Sequence, residues 1–189
     1  GDGTALERVW ESSAPPHSFV GGSRRASAPG TPIFVFLPVF DVDNVLPAAR
    51  PCVRMVVDGE PTGLAFHGVP SGHEFNSFVL GLYNVAGPGQ PLGDDLIDRS
   101  RSITDPLDIM VLVSLTCTMC PETVLASQRI ASLNPAVRAE AYDVAHFPEL
   151  RDHYGAMSVP CIVITRADGT QQVEFGKKSI PQMLELVGA

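Results

Sequence analysis

Basic residues are scarce in this chain of 189 residues: 13 Lys and Arg stand against 21 Asp and Glu, for a formal net charge of −8. A surface of that sign repels a phosphate backbone, which excludes nucleic acid as a partner. Long apolar runs are also missing. The longest, Ile33 to Leu37, ends at Pro38, far short of the roughly 20 residues that span a bilayer, so no membrane segment is expected. The first residues, Gly-Asp-Gly-Thr, offer neither a basic region nor an apolar stretch, and no signal peptide is read there. Only four cysteines occur, at 52, 117, 120 and 161, too few to staple a secreted scaffold of this length. No Gly-x-Gly-x-x-Gly run opens a helix after a strand, so a bound dinucleotide is not expected in this chain. What remains is a globular protein of a reducing, cytoplasmic compartment, with 44% apolar residues to build a core.

The sequence that is present repeats itself. Residues 51–82 and 160–187 each begin Pro-Cys with β-branched residues after it, pass an Asp-Gly hairpin signal (Asp58-Gly59, Asp168-Gly169) and close a second strand on Phe and Gly. Each ends on a helix whose entry reads as a capping box, Ser71 to Glu74 and Ser179 to Gln182. The periodic residues Phe75, Phe78, Val79 and Leu82 in one copy, and Met183, Leu184 and Val187 in the other, predict apolar helix faces. The breakers Gly87 to Pro91 mark the boundary, and Asp94 to Ile103 predicts a short connecting helix. Before Pro160 the pattern predicts strand 107–114, a helix to Leu133, a break at Asn134-Pro135, strand 137–143 and helix 147–153. Before Pro51 little is legible beyond a possible helix over Leu6 to Glu11 and a loop over 21–32. The expected architecture is α/β, with a first unit over 1–88 lacking a dithiol, a connecting segment over 89–106 and a second unit over 107–189.

The second unit carries Cys117-Thr-Met-Cys120 between a strand and a helix start. Free N–H groups and the positive end of the helix dipole favour a thiolate at Cys117, which makes it the nucleophile. Cys120, within the first turn, is placed to attack a mixed disulfide on Cys117 and release the product. Half of a zinc site is the competing reading, but no second Cys-x-x-Cys or His-x-His pair supplies the other half. Cys161 and Cys52 read as core residues, although Cys161, next to Pro160, is a candidate third thiol. By residue type alone the Val159–Pro160 bond is expected to be trans.

Ser-x-Thr-Cys-x-x-Cys-Pro from Ser114, Met157-Ser-Val-Pro160, Phe175-Gly176-Lys177 and above all Phe66-His-Gly-Val-Pro-Ser-Gly-His-Glu-Phe75 resemble the N-terminal domain of the bacterial alkyl hydroperoxide reductase flavoprotein subunit, over residues 64–187. The resemblance implies two tandem thioredoxin-like (glutaredoxin-like) folds with central mixed sheets, the first without its dithiol. It implies that Cys117 and Cys120 form a redox-active disulfide that takes electrons from a flavoprotein disulfide reductase module carrying FAD and using NAD(P)H, and passes them to the disulfide of a peroxiredoxin. It further implies that Pro160 is cis and that Glu74 is an acidic neighbour of the dithiol. Glu74 is read either as a cap alone or as a cap and a proton carrier, since the strand before the dithiol has Val111 where thioredoxins carry an Asp. The pair Thr118-Met119 departs from the family's usual His-Asn. The alternatives are a free-standing glutaredoxin-like or disulfide isomerase-like oxidoreductase, and a redox-inert module binding zinc or a protein.

Overall fold

A computed structural model describes residues 32–33, 51–58 and 60–189. The readings over Leu6 to Glu11 and 21–31, and the glycine of the first hairpin, lie outside them.

Strand β1 (Pro32–Ile33) leads to the hairpin β2 (Cys52–Val57) and β3 (Glu60–His67), then helices α1 (Glu74–Ala86) and α2 (Asp94–Arg101). Next come β4 (Leu107–Val113), α3 (Cys120–Leu133), β5 (Val137–Asp143), α4 (Pro148–His153), the hairpin β6 (Cys161–Arg166) and β7 (Gln171–Phe175), and α5 (Ile180–Val187). The described strands all join one mixed sheet in the order β1-β2-β3-β5-β4-β6-β7. The thioredoxin-like arrangement is complete in the second half. The first copy adds its hairpin to the same sheet, because β3 pairs in parallel with β5, Leu64 opposite Ala139 and His67 opposite Tyr142. Among the described residues no helix is long and apolar enough to cross a membrane.

The central strands read as almost continuous apolar runs because both faces are covered. On one face Phe66, Ile109, Val111, Ile162 and Ile164 pack under α3 and α5. On the other, Met110, Leu112, Tyr142, Cys161 and Val163 meet Leu150 of α4 and Phe147 at its N-cap. The Asn134 break has a positive role: its side-chain amide donates to the Ser100 and Ile103 carbonyls, both at 2.8 Å, which ties the connecting segment to the end of α3.

Two local expectations are corrected. Helix α1 begins at Glu74 with His73 as its N-cap, so Ser71 and Glu74 do not form a capping box. The reason is Gly72, whose positive φ of 56° folds Ser71 into a tight turn in which its carbonyl accepts the Glu74 N–H. Nor do Phe75, Phe78, Val79 and Leu82 share one buried face. Phe78 and Leu82 pack against the core, while Phe75 and Val79 are exposed. The buried face is Glu74, Ser77, Gly81 and Asn84, since α1 lies so close to α3 that a Cβ on Gly81 would sit 2.7 Å from the Gln128 side chain. The capping box at Ser179 does form, with Gln182 Oε1 accepting the Ser179 N–H at 2.9 Å.

Candidate redox site

Strand β4 ends at Val113, and Ser114 turns the chain, its carbonyl accepting the Cys117 N–H at 2.9 Å. This delivers Cys117 to the mouth of α3 and Cys120 to its first residue, with Pro121 where no intrahelical N–H is needed and Glu122 at the positive end of the dipole. Cys117 and Cys120 are joined as a disulfide, Cα atoms 5.6 Å apart. They are unequal. Cys117 is half-buried, whereas Cys120 is fully enclosed. The Cys120 N–H points at Cys117 Sγ at 3.1 Å, and the Val159 carbonyl oxygen lies 3.7 Å from the same sulfur.

That carbonyl precedes Pro160, whose peptide bond is cis. The type-based expectation of trans is therefore overturned, and the form implied by the resemblance is observed. The Pro160 carbonyl accepts the Gly176 N–H at 3.0 Å, and the Lys178 N–H donates to Thr123 Oγ1 at 3.0 Å, so the ends of β7 and α3 brace the loop from both sides. Glu122 and Lys177 pair across this brace at 3.0 Å. Cys161 takes no part. It is buried in the second core cluster on the far side of the sheet, and burial pushes its thiol up to about 11. Cys52 lies in the same row across the sheet but four strand spacings away, roughly 19 Å. Among the described residues no group of three His, Cys, Asp or Glu side chains could hold a metal ion.

The first unit reaches this site through one turn. The His73 N–H donates to the Leu115 carbonyl at 3.0 Å, and Gly72 is pressed so closely on that oxygen that a Cβ would stand 2.4 Å from it. With Gly72 against Leu115 and Gly81 against Gln128, α1 and α3 run in the same direction, and this register sets Glu74 level with the first turn of α3. Glu74 is completely buried; burial raises its carboxyl to about 7, against the opposing effect of the hydrogen bond from Ser77 Oγ. The dithiol and Pro160 are thus in one place, and Glu74 belongs to a separate element, α1, which packs along α3. The sequence did not point to Gly72, Leu115 or Ser77; Pro70-Ser71-Gly72 is visible there only as a turn signal. Replacing Gly72 by alanine is expected to destabilise the chain by about 1–3 kcal/mol, read as a lower urea midpoint, because both the positive φ and the Leu115 contact oppose a side chain. An unchanged midpoint would show that the turn yields freely.

Apolar side chains close in the chain to the dithiol and to Pro160 face solvent: Met119 is 51% exposed and Met157 96%.

Residues 107–175 match the family described as Thioredoxin domain. The chain is 34% identical over 131 residues to the AhpF subunit of alkyl hydroperoxide reductase in Staphylococcus epidermidis, covering 69% of this chain and 25% of that protein. It is 37% identical over 117 residues to the same protein of Pseudomonas aeruginosa, covering 62% and 22%. It therefore spans about a quarter of the length of these curated relatives. Among solved structures, the NTD_N/C domain of alkylhydroperoxide reductase AhpF from Enterococcus faecalis superposes with a TM-score of 0.67 at 44% identity, over 72% of this chain and 64% of that one. A protein disulfide oxidoreductase from Aeropyrum pernix does so at 0.62 and 26% identity, over 73% and 58%. With its half-exposed and buried cysteines, its cis proline and a first unit joined edge to edge, the chain is a thioredoxin-fold protein similar to the N-terminal domains of the alkyl hydroperoxide reductase AhpF.

Proposed function

We propose that this chain is a dithiol–disulfide electron relay, taking reducing equivalents from a flavoprotein module that carries FAD and uses NAD(P)H, and giving them to the disulfide of a peroxiredoxin. The observation that carries this reading is the half-exposed Cys117, bonded to a buried Cys120 at a helix mouth beside the Val159–Pro160 backbone. In the reduced form, the Cys117 thiolate attacks one sulfur of the partner's disulfide. The S–S bond to Cys117 forms as the partner's own bond breaks, and the departing sulfur leaves as a thiolate that takes up a proton. Cys120, deprotonated, then attacks Cys117 Sγ, restoring the intramolecular disulfide and releasing the partner as a dithiol. Two electrons have moved, and a dithiol of the flavoprotein module returns the pair to its starting state by the reverse sequence.

Glu74 is assigned the proton traffic of these steps. A carboxyl near 7 can accept a proton from Cys120 and return it at neutral pH, which one ionised throughout that range cannot do. In this reading, residues 107–189 carry the chemistry, residues 1–88 supply Glu74 and the turn against Leu115, and 89–106 connect them. The exposed side chains of Met119 and Met157 favour a protein disulfide, presented on an apolar segment, over a small thiol.

The test mixes pre-reduced chain with an oxidised peroxiredoxin of the same organism. Two thiols should appear in the peroxiredoxin for each chain oxidised, faster than with glutathione disulfide at equal concentration. A chain that reduces glutathione disulfide and leaves the peroxiredoxin oxidised would instead be a free-standing glutaredoxin-like enzyme. Glu74→Gln should slow the exchange by at least ~10-fold at pH 7 and remove the inflection near pH 7 from the rate profile. An unaltered profile would return Glu74 to a purely structural place.

A further inference from the structure

Arg129, on the side of α3 away from the dithiol's mouth, is a buried cation without a carboxylate. Only 6% of it is exposed. Its Nη1 donates to Ser132 Oγ at 3.3 Å, but neither Nε nor Nη2 has an acceptor among the described residues. The guanidinium lies under the connecting segment. Gly89 is so close that a Cβ there would stand 2.3 Å from Nη1, and Asn84 pins the segment by accepting the Gln90 N–H at 2.7 Å. Burial lowers the Arg129 guanidinium from its ordinary value, the expected consequence of desolvating a charge without a counter-ion.

Arg129 also lines a cavity of about 290 Å³ between α3, α5 and the connecting segment. The other walls are largely apolar, with Leu92, Leu96, Leu125 and Ile180 among them. The acid on its rim, Glu122, is engaged by Lys177, and the Gln90 side chain by Asn84. A guanidinium with no counter-ion meets a carboxylate through charge-assisted hydrogen bonds. A strongly hydrated inorganic anion would leave the apolar walls unused, whereas a carboxylate on an apolar body uses both.

We propose that this cavity binds a monocarboxylate carried on an unbranched apolar body of about six to eight carbons, its carboxylate meeting the charge of the Arg129 guanidinium and its body lying against Leu92, Leu96 and Leu125. The site is independent of the redox reading, since none of these side chains touches the dithiol.

The test is a titration of ¹⁵N-labelled chain with octanoate, octanamide and acetate, followed by NMR at the Arg129 side-chain Nε–H and the backbone amides of Leu92, Leu96 and Leu125. Octanoate should shift these resonances together and saturably; octanamide, with the body but no charge, should bind at least ~10-fold more weakly, and acetate should not saturate. Arg129→Leu should weaken octanoate at least ~10-fold. Leu96→Trp, which fills the cavity and leaves the guanidinium in place, should do the same, so the test survives a failure of either variant to fold. Equal binding of octanoate and octanamide, shifts scattered over the protein, or octanoate affinity retained in either folded variant would overturn the proposal.

Discussion

Cys117→Ser should abolish electron transfer to a protein disulfide, a loss of at least ~10³-fold, while Cys120→Ser should stop the reaction halfway, with the partner covalently held on Cys117. The asymmetry follows from the two environments. Cys117 is half-exposed and receives the Cys120 N–H at 3.1 Å, so a negative sulfur there is stabilised by the helix mouth and can be reached by a partner. Cys120 has no exposed surface and can attack only what is already bonded to Cys117. Serine at 117 removes the nucleophile; serine at 120 removes only the step that resolves the complex. Non-reducing electrophoresis with an oxidised peroxiredoxin separates the cases: no adduct for the first, a stable adduct reversed by dithiothreitol for the second. An adduct that accumulates on Cys120 in the Cys117→Ser protein would invert the assigned roles.

The second large effect concerns the joint between the two copies. At the parallel β3–β5 seam, His67 Nε2 lies 2.8 Å from Glu140 Oε2, both side chains almost fully buried, and the Tyr142 hydroxyl donates to the same oxygen at 3.0 Å. His67 also stacks on Tyr142 with ring centroids 3.9 Å apart, and Cys52 Sγ is 3.9 Å from its Nε2. Burial alone would lower the His67 pKa, but the hydrogen bonds of Cys52 and Glu140 and the Glu140 charge outweigh it and raise it to about 9. Burial would raise the Glu140 carboxyl, and the His67 hydrogen bond and charge, with Arg54 and Arg138 nearby, hold it well below the usual carboxylate range. The Glu140 charge and hydrogen bond thus favour the imidazolium–carboxylate form of the pair. Its histidine contribution to stability is complete below the unfolded value near 6.5 and is lost as pH rises through about 9. Its carboxylate contribution is present above about 4.5 and is lost in strong acid. Glu140→Gln should cost about 3–5 kcal/mol at pH 7, because it leaves a buried imidazolium without its charge partner. The fall in urea midpoint expected of the parent chain between pH 6.5 and 9.5 should disappear in the variant. A variant with the parent's pH dependence would mean that His67 is neutral in the fold.

The redox centre is largely legible in the sequence because its chemistry is local. Cys117, Cys120, Pro121 and Glu122 lie within six consecutive residues at a helix start, and the strand before them is an almost continuous apolar run. The hairpin at Asp168 and the capping box at Ser179 are legible for the same reason, since each depends on neighbours in the chain. The first copy's helix departs from its sequence pattern where the outcome depends on a distant contact. Ser71 and Glu74 have capping-box spacing, but Leu115, more than forty residues later, holds Gly72 in a turn that makes His73 the cap. Phe75 and Val79 follow an apolar period, yet α3 accepts the small and polar face of α1 because only that face permits so close an approach.

By itself, the sequence determined the repeat, the order of strands and helices after Pro51, and the unequal pair of cysteines at a helix start, all set by period, turn residues and spacing along the chain. Tertiary structure alone decided that the two copies share one sheet through β3 and β5, that Val159–Pro160 is cis, and that Glu74 is a buried carboxyl near 7 rather than a cap. Each of these depends on desolvation or contact between residues far apart in the chain, and spacing along a single sequence carries no record of either.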